Sequence, residues 1–192
     1  PDHSGIWIDE NNGVTLTHQR LAIIDLSQSG HQPMVSASGR YVLCFNGEIY
    51  NHKDLRSELN KQGKSPTWQG SSDTEIILAC IEAYGLRKTL VKLIGMFAIA
   101  IWDKYRKEMF LARDRVGEKP LYYGSHGALL LFSSELKALR AHPKFTPKIN
   151  RDALCLFLRH NYIPQPYSIY EDIKKLPPGH FVRLKENAVP EK

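Results

Sequence analysis

An asparagine–glycine pair, Asn46-Gly47, is the first feature of the chain that could do chemistry. It follows the apolar run 41–44, which is typical of a buried strand. Because glycine tolerates backbone angles that other residues disfavour, the pair predicts a sharp turn at the end of that strand. A side-chain amide beside an unhindered backbone N–H would offer two donors to an oxygen that becomes negative during acyl transfer. For a bare pair of this kind, an ordinary hairpin turn is the favoured alternative.

The residues after the pair predict a helix rather than a returning strand. Asn51 can cap a helix that begins at His52, Leu55 and Leu59 lie four apart on one face, and Gly63 is suited to its end. The two donors are therefore predicted to lie at a corner between a strand and a helix, where functional sites are common.

A second helix begins at a capping-box pattern, Ser72-Asp73-Thr74-Glu75. Asp73 falls in its first turn, where the helix dipole favours an ionised carboxylate by about 0.3–1 kcal/mol. A ligand contact and an acid that merely suits this position are equally compatible with the pattern. The buried face of this helix is predicted to comprise Ile76, Ile77, Cys80, Ile81 and Tyr84, with Gly85 at its end.

Charged residues cluster again at Arg113, Asp114, Arg115 and Lys119. The cations would suit a phosphate, but no glycine-rich cradle accompanies them, so a structural ion-pair loop or a contact to another domain is favoured. The eight histidines show no metal-binding spacing on a predicted helix, and we expect no metal site.

The composition is that of one soluble globular domain, with 192 residues, 42% hydrophobic and 24% charged. No apolar run approaches the length of a membrane span. The net charge of +6 comes from scattered residues, which disfavours a nucleic-acid-binding surface. Three cysteines, Cys44, Cys80 and Cys155, lie in apolar patterns and are predicted to be core residues in a reducing compartment rather than a disulfide set.

The remaining patterns predict strands and helices in alternating groups. A segment at 14–21 alternates, and the run at 21–26 is apolar and predicted to be buried. A helix capped by Asn150 is predicted to turn Ala153, Leu154, Phe157 and Leu158 inward. Further strands are predicted at 95–102, which is apolar on both faces, 109–113, 121–123, 129–132 and 180–184, with a helix at 135–141. Antiparallel sheets stacked between helices, an α+β sandwich, would accommodate this order.

Several motifs in this order resemble the class II glutamine amidotransferase domain of glutamine-dependent asparagine synthetases, an N-terminal-nucleophile hydrolase with a four-layer αββα fold. The matching segments run nearly end to end: Pro1-Asp2 with Gly5, HQRLAIID from His18, Gln32-Pro33-Met34, FNGEIYN from Phe45, Ser72-Asp73-Thr74-Glu75, Gly95-Met96-Phe97-Ala98, LARDR from Leu111, KPLYY from Lys119, SELKAL from Ser134, and Leu176-Pro177-Pro178-Gly179.

The resemblance implies a role for seven positions. In the family a cysteine thiolate attacks the side-chain amide of glutamine, with its own α-amino group as base, and ammonia leaves. Carried over to this sequence, the resemblance makes Asn46 and Gly47 the oxyanion donors. Arg20 would bind the α-carboxylate of glutamine and Asp73 its α-ammonium group. Glu48 would be a further glutamine contact, and the pocket would be lined by Leu21 and Ile24.

Each role has a plainer alternative. Arg20 could be a surface residue at a strand end, Glu48 an exposed turn acid, and Leu21 and Ile24 core residues. A guanidinium fork nevertheless matches a carboxylate with two parallel charged hydrogen bonds, which favours Arg20 once the resemblance is considered.

The chain departs from the family at both ends. It contains neither the N-terminal cysteine nor the ATP-binding synthetase domain, so we expect an N-terminally truncated amidotransferase domain at 1–184 and a charged tail at 185–192. ATP and magnesium are expected only in the synthetase domain. The expected partners are glutamine and that domain. A homodimer and a cytoplasmic location are compatible with the family. Such a chain would bind glutamine weakly or not at all and would not turn it over. If a missing segment normally supplies a strand, an exposed sheet edge and self-association are expected.

Three other functions fit parts of the sequence. A binding or docking module would keep the glutamine contacts without catalysis. An enzyme could use Pro1 as a base, and the positive charge could attract nucleic acid. The position of Pro1 in mid-domain sequence and the scattered charges disfavour the last two.

Overall fold

The computed structural model describes residues 2–21, 25 and 27–185, which form a mixed α+β fold with antiparallel sheets. In chain order its elements are β1 (His3–Asp9), β2 (Val14–Arg20), β3 (Met34–Val35), β4 (Tyr41–Ile49), α1 (His52–Lys61), α2 (Asp73–Tyr84), α3 (Leu86–Lys92), β5 (Gly95–Asp103), β6 (Glu108–Arg113), β7 (Tyr122–His126), β8 (Leu129–Ser133), α4 (Leu136–Arg140), α5 (Arg151–His160), β9 (Ile173–Lys175) and β10 (Phe181–Lys185). None of the helices in these ranges is long and apolar enough to cross a membrane.

The largest sheet has five antiparallel strands in the order β10-β6-β5-β4-β3 and is covered on both faces. Successive side chains of a strand point to opposite faces, so Phe97, Ile99 and Ile101 of β5 pack on the buried faces of α1 and α2. Ala98 and Trp102 point the other way and pack with residues of β2 and β6. The prediction of a doubly covered strand is therefore confirmed.

Two smaller antiparallel sheets accompany it. One is the hairpin β1-β2, and the other has the order β8-β7-β9. Leu131 of β8, Leu139 of α4 and Ile173 of β9 belong to a third apolar cluster. The predicted α+β class is confirmed, whereas β1 was not predicted: Ile6 and Ile8 alternate along it but remain exposed, and only Gly5 of this strand is buried.

The predicted turn at Asn46-Gly47 is wrong. β4 continues through the pair to Ile49, with Asn46 opposite Ala98 and Gly47 opposite Phe97. Glycine is required there for another reason: its φ is 152°, and a Cβ would overlap the Met96 carbonyl oxygen and lie 2.8 Å from the Phe97 Cα. The residue thus permits close approach inside the sheet, and the corner toward α1 comes after Ile49.

Helix boundaries were predicted better than the caps. α1 begins at His52 as predicted, but Asn51 makes no side-chain cap and instead donates to the Lys92 carbonyl at 2.9 Å and accepts from the Ile94 N–H at 3.0 Å. Ser72 does cap α2, accepting from the Glu75 N–H at 3.2 Å. The Glu75 carboxylate accepts from backbone N–H groups at 69 and 70, so the second half of the predicted capping box is not formed.

The inward face predicted for α5 is largely wrong. Asn150 caps the helix and Ala153 is buried, but Leu154 is 38%, Phe157 45% and Leu158 73% exposed. Helical spacing identifies an apolar face but does not show what covers it. Cys155 on the same helix is also exposed, against its predicted core position. Cys44 is half-buried and Cys80 is buried, and all three are free thiols.

The charged loop after β6 is structural, although it does not depend on ion pairs. Asp114 is fully buried and accepts hydrogen bonds from the N–H groups of Phe97, Val116, Gly117, Glu118 and Lys119 at 2.6–3.2 Å. Burial pushes the pKa of Asp114 up, but these bonds outweigh it and the net shift is downward. Arg113 donates to three backbone carbonyls.

Near the C-terminal end of the described residues, Lys185, predicted to begin the charged tail, is the last residue of β10.

Candidate functional site

A single cavity of about 600 Å³ is lined by six of the seven predicted site residues: Arg20, Leu21, Asn46, Gly47, Glu48 and Asp73. The seventh, Ile24, lies outside the described residues, so its predicted role is not addressed. Residues far apart in sequence, on β2, β4 and the first turn of α2, are thus brought to one place.

Backbone N–H groups line the outer edge of β4 at every second residue. The Phe45 N–H donates to Gln32 Oε1 at 2.6 Å, and the Ile49 N–H donates to Asp73 Oδ2 at 3.0 Å. Because strand N–H groups alternate between the two edges, the Gly47 N–H lies on this same edge, between those two bonds. The neighbouring Phe97 directs its own N–H and carbonyl to Asp114. The Gly47 N–H is therefore directed away from β5.

The Asn46 side chain is held by a residue that the residue-level prediction missed. Its Nδ2 donates to Ser134 Oγ at 3.1 Å, and Ser134 follows β8 directly. This bond fixes which way the amide points. No local signal marks Ser134, since a serine between a strand and a helix is ordinary, and only the family resemblance included it.

Arg20 is buried, with 6% of its surface exposed, so the surface alternative is wrong. Its guanidinium donates to the Ser27 carbonyl at 2.8 Å and to the Asp25 carbonyl. Gly30 packs directly against it, because a Cβ there would overlap Nη2 and lie 2.8 Å from Cζ. The guanidinium is thus held at the cavity wall by carbonyls of the adjoining loop.

Asp73 is buried as well and ties α2 to β4 through the Ile49 N–H. Burial raises the pKa of Asp73, and this influence outweighs the lowering by the Ile49 hydrogen bond and by nearby His52. The dipole-based expectation of a favoured carboxylate is therefore incomplete, since burial acts in the opposite direction. A buried acid with a raised pKa in a cavity is typical of functional positions.

Neither Glu48 nor Leu21 fits the structural role that was its alternative to ligand binding. Glu48 lies within β4 opposite Met96 and is half-buried, so it is not an exposed turn acid. Leu21 is 70% exposed, so the prediction that it belongs to the core is wrong. Both residues line the cavity.

His18 is a further cavity residue that residue-level reasoning missed. Its Nε2 lies 3.0 Å from the Phe45 carbonyl oxygen. A carbonyl only accepts, so Nε2 carries the proton and Nδ1 is the unprotonated nitrogen. Burial lowers the pKa of His18, which favours this neutral form. The alternation of β2 could have placed His18 on the same face as Arg20, two residues later.

The cavity runs along the edges of two sheets rather than across one face. It is lined by every residue of 15–21, on and directly after β2, and of 130–134, on and directly after β8. Successive side chains of a strand point to opposite faces, so a lining of this kind follows a strand edge. Within the described part of the chain, β2 pairs only with β1 and β8 only with β7. We call the space between these two edges the inter-sheet slot.

The site can hold a small zwitterion and polarise a carbonyl. It offers the buried cation Arg20, the buried acids Asp73 and Asp25, an oriented amide and a backbone N–H. Across the residues that the structure describes, no group of three or more His, Cys, Asp or Glu could hold a metal ion.

Comparison with known proteins agrees with a site that can bind an amino acid. A sequence profile described as "Glutamine amidotransferase domain" matches residues 1–192. The chain is 34% identical over 192 residues to asparagine synthetase [glutamine-hydrolyzing] 3 of Bacillus subtilis (strain 168), covering 98% of this chain and 30% of that protein. It is 38% identical over 194 residues to the putative asparagine synthetase [glutamine-hydrolyzing] 2 of Methanocaldococcus jannaschii, covering 92% of this chain and 36% of that protein. The chain therefore spans about a third of the length of these relatives.

Two solved structures resemble this chain. Glutamine phosphoribosylpyrophosphate amidotransferase from B. subtilis, complexed with ADP and GMP, aligns with a TM-score of 0.56 and 29% identity over 66% of this chain and 28% of that one. A glutamine aminotransferase class-II domain protein from Silicibacter pomeroyi aligns over 95% of this chain and 86% of its own with a TM-score of 0.51, and at 14% identity it shares the fold alone. The chain belongs to the glutamine amidotransferase domain family and is a class II domain related to the glutamine-hydrolysing asparagine synthetases.

Proposed function

We propose that this chain is the glutamine-binding part of a glutaminase domain, which releases ammonia from the side-chain amide of glutamine. The observation that carries the proposal is the meeting of Arg20, Asp73, Asn46 and Gly47 in one cavity. A guanidinium and a carboxylate suit the two charges of an α-amino acid. The Asn46 amide and the Gly47 N–H suit the amide oxygen at the other end.

The proposed chemistry follows from these positions. A thiolate attacks the amide carbon, and the carbonyl oxygen gains the negative charge that Asn46 Nδ2–H and the Gly47 N–H stabilise. The C–N bond then breaks, and the nitrogen leaves as ammonia after taking the proton held by the nucleophile's α-amino group. Water hydrolyses the thioester, which gives glutamate and restores the thiol. Removal of one oxyanion donor in such sites costs about 10²–10³ in rate.

We infer that the thiolate is carried by an extended segment in the inter-sheet slot. A strand there would find open edges on β2 and β8 and would join the two smaller sheets into one layer. With α1 and α2 outside the five-stranded sheet and α4 outside the joined sheet, the result would be the four-layer αββα arrangement. Such a strand would lie beside Arg20 and Ser134, which both line the slot.

The ammonia would serve an ATP-dependent amidation of aspartate or a related carboxylate in a synthetase domain, where ATP and magnesium would bind. The formation of asparagine is suggested by the names of the relatives that are 34% and 38% identical, and the roles of ATP and magnesium come from the resemblance to the family alone. A glutamine-binding module without catalysis is the second candidate, because the cysteine that lines the cavity, Cys44, is poorly suited as a nucleophile: burial raises the pKa of its thiol to about 12.

The test compares this chain with the same chain preceded by the residues that its gene encodes upstream of Pro1. Glutamate formation from L-glutamine is measured for both, and Asn46→Ala is introduced into the longer protein. We expect turnover by the longer protein alone and a loss of about 10²–10³ in kcat for Asn46→Ala. Turnover by the 192-residue chain itself would overturn the proposed nucleophile. A longer protein that binds glutamine without hydrolysing it would select the binding module.

A further inference from the structure

Asp25 is a buried acid whose carboxylate joins two loops that are distant in sequence. It accepts from the Ser27 N–H at 2.8 Å and the Ser27 hydroxyl at 2.6 Å on one side. On the other side it accepts from the Ser71 N–H at 2.9 Å and the Ser71 hydroxyl at 3.3 Å. These hydrogen bonds lower the pKa of Asp25 to about 2, with Ser27 as the largest cause, so the carboxylate is ionised at neutral pH.

One of the two loops positions Arg20. The Asp25 carbonyl and the Ser27 carbonyl both accept from the guanidinium of Arg20. The Asp25 carboxylate fixes Ser27 through two hydrogen bonds of its own. The two carbonyls that orient the guanidinium are therefore part of a segment that this carboxylate holds.

The other loop leads directly into Asp73. Ser71 precedes Ser72, the cap of α2, and Asp73 is the first residue of that helix. Gly70 permits the close approach, because a Cβ there would lie 2.6 Å from Asp25 Oδ2. Arg56 donates to the Gly70 carbonyl at 2.9 Å and anchors this loop to α1.

We propose that Asp25 is a positioning residue that sets the separation between Arg20 and Asp73, and so selects a ligand carrying both an α-carboxylate and an α-ammonium group. The inference rests on the proposed function, which gives these two residues the charged ends of the amino acid. Asp25 also lines the cavity, but both of its carboxylate oxygens already accept hydrogen bonds from Ser27 and Ser71. It acts through the loops that carry the two residues.

The experiment measures the affinity of three ligands for the folded chain and for Asp25→Asn. The ligands are L-glutamine, 4-carbamoylbutanoate, which lacks the α-amino group, and 4-aminobutanamide, which lacks the α-carboxylate. An asparagine keeps the size of Asp25 but replaces one acceptor with a donor, so one loop loses the hydrogen bond from its backbone N–H. Asp54→Asn, at an exposed acid on α1, is the matched control.

We expect the wild-type chain to bind L-glutamine at least about tenfold more tightly than either analogue, because each analogue leaves one charged partner unused. Asp25→Asn should reduce that preference to about twofold and leave the affinities for the analogues unchanged, whereas Asp54→Asn should keep the preference. A general loss of folded protein would weaken all three ligands alike, so the ratio separates positioning from stability.

The outcomes distinguish the proposed function from the positioning role of Asp25. A wild-type chain without any preference for L-glutamine would overturn the proposed function. A wild-type preference that Asp25→Asn fully retains would overturn the positioning role alone. If Asp25→Asn does not fold, Ser27→Ala serves instead, since it removes the hydroxyl bond at 2.6 Å and leaves the N–H bond. A partial fall of the preference would then support the role, and an unchanged preference would contradict it.

Discussion

The carboxylate of Asp73 accepts a hydrogen bond from the Ile49 N–H at 3.0 Å, which joins the first turn of α2 to the edge of β4. Ile49 lies two residues after Gly47 on that edge, so one acid both lines the cavity and fixes the strand that carries the proposed oxyanion donors. Function and stability therefore meet at Asp73, and they can be separated by substitution.

Asp73→Asn should lose glutamine affinity without losing stability. The raised pKa of Asp73 means that its ionised form is disfavoured in the fold, so stability declines as the pH rises from the ordinary value of 3.8 through the folded pKa. Asparagine removes that cost and keeps an acceptor for Ile49. We expect Asp73→Asn to melt at the same or a higher temperature than wild type at pH 7 and to bind L-glutamine more weakly.

Asp73→Ala is the control for the hydrogen bond. It leaves the Ile49 N–H without its acceptor, which typically costs about 1–3 kcal/mol of unfolding free energy. A marked fall in melting temperature for Asp73→Asn, equal to that of Asp73→Ala, would show that the charge itself stabilises the fold.

Gly47→Ala should strongly destabilise the chain. The added Cβ would overlap the Met96 carbonyl oxygen at a φ of 152°, so backbone strain and overpacking add to a cost of about 2–4 kcal/mol. Gly13→Ala is the matched control, because its φ is 61° and nothing lies within 4 Å of the new Cβ. Urea unfolding of both variants measures the difference. Equal costs would contradict the packing argument.

Acid should destabilise the fold in the range where Asp25 takes up its proton. The pKa of Asp25 is about 2 in the fold against an ordinary value of 3.8, so its contribution is present above pH 3.8 and is lost as the pH falls toward 2. Unfolding free energy measured at a series of pH values should fall across this window, and more gently in Asp25→Asn. A wild-type slope identical to that of the variant would refute the contribution of Asp25.

Leu158→Lys should leave stability nearly unchanged, within about 0.5 kcal/mol, because the side chain is 73% exposed. Leu59→Lys on α1 is the comparison, since Leu59 is fully buried and a lysine there should prevent folding or cost several kcal/mol by the usual penalty for a buried charge. Melting temperatures distinguish the two. A large loss in Leu158→Lys would restore the predicted inward face of α5.

Local patterns predicted the elements whose partners are near in sequence. The face of α2 and the doubly covered β5 follow from periodicity, which the core satisfies directly. Asn46-Gly47 was misjudged because a glycine in a turn and a glycine at a close strand contact look the same in sequence. The distinction depends on Met96 and Phe97, which are far along the chain.

The charged and buried contacts were the hardest to predict. Nothing local shows that Asp25 accepts from Ser71, 46 residues later, or that Ser134 meets Asn46, 88 residues earlier. The family resemblance supplied the candidate site residues, but their hydrogen-bond partners depend on tertiary structure. The exposed apolar residues of α5 show that an apolar stripe in the sequence does not reveal whether another element packs against it.

The most direct test of the account is a titration of the ¹⁵N-labelled chain with L-glutamine, followed by backbone amide shifts. The account predicts weak binding, with the largest shifts at Gly47, Ile49 and Thr74 around the shared cavity and none from the analogue without charged ends, butanamide. Shifts that gather elsewhere, such as around Arg40 and Asp103, or no shifts up to the solubility of glutamine, would contradict it.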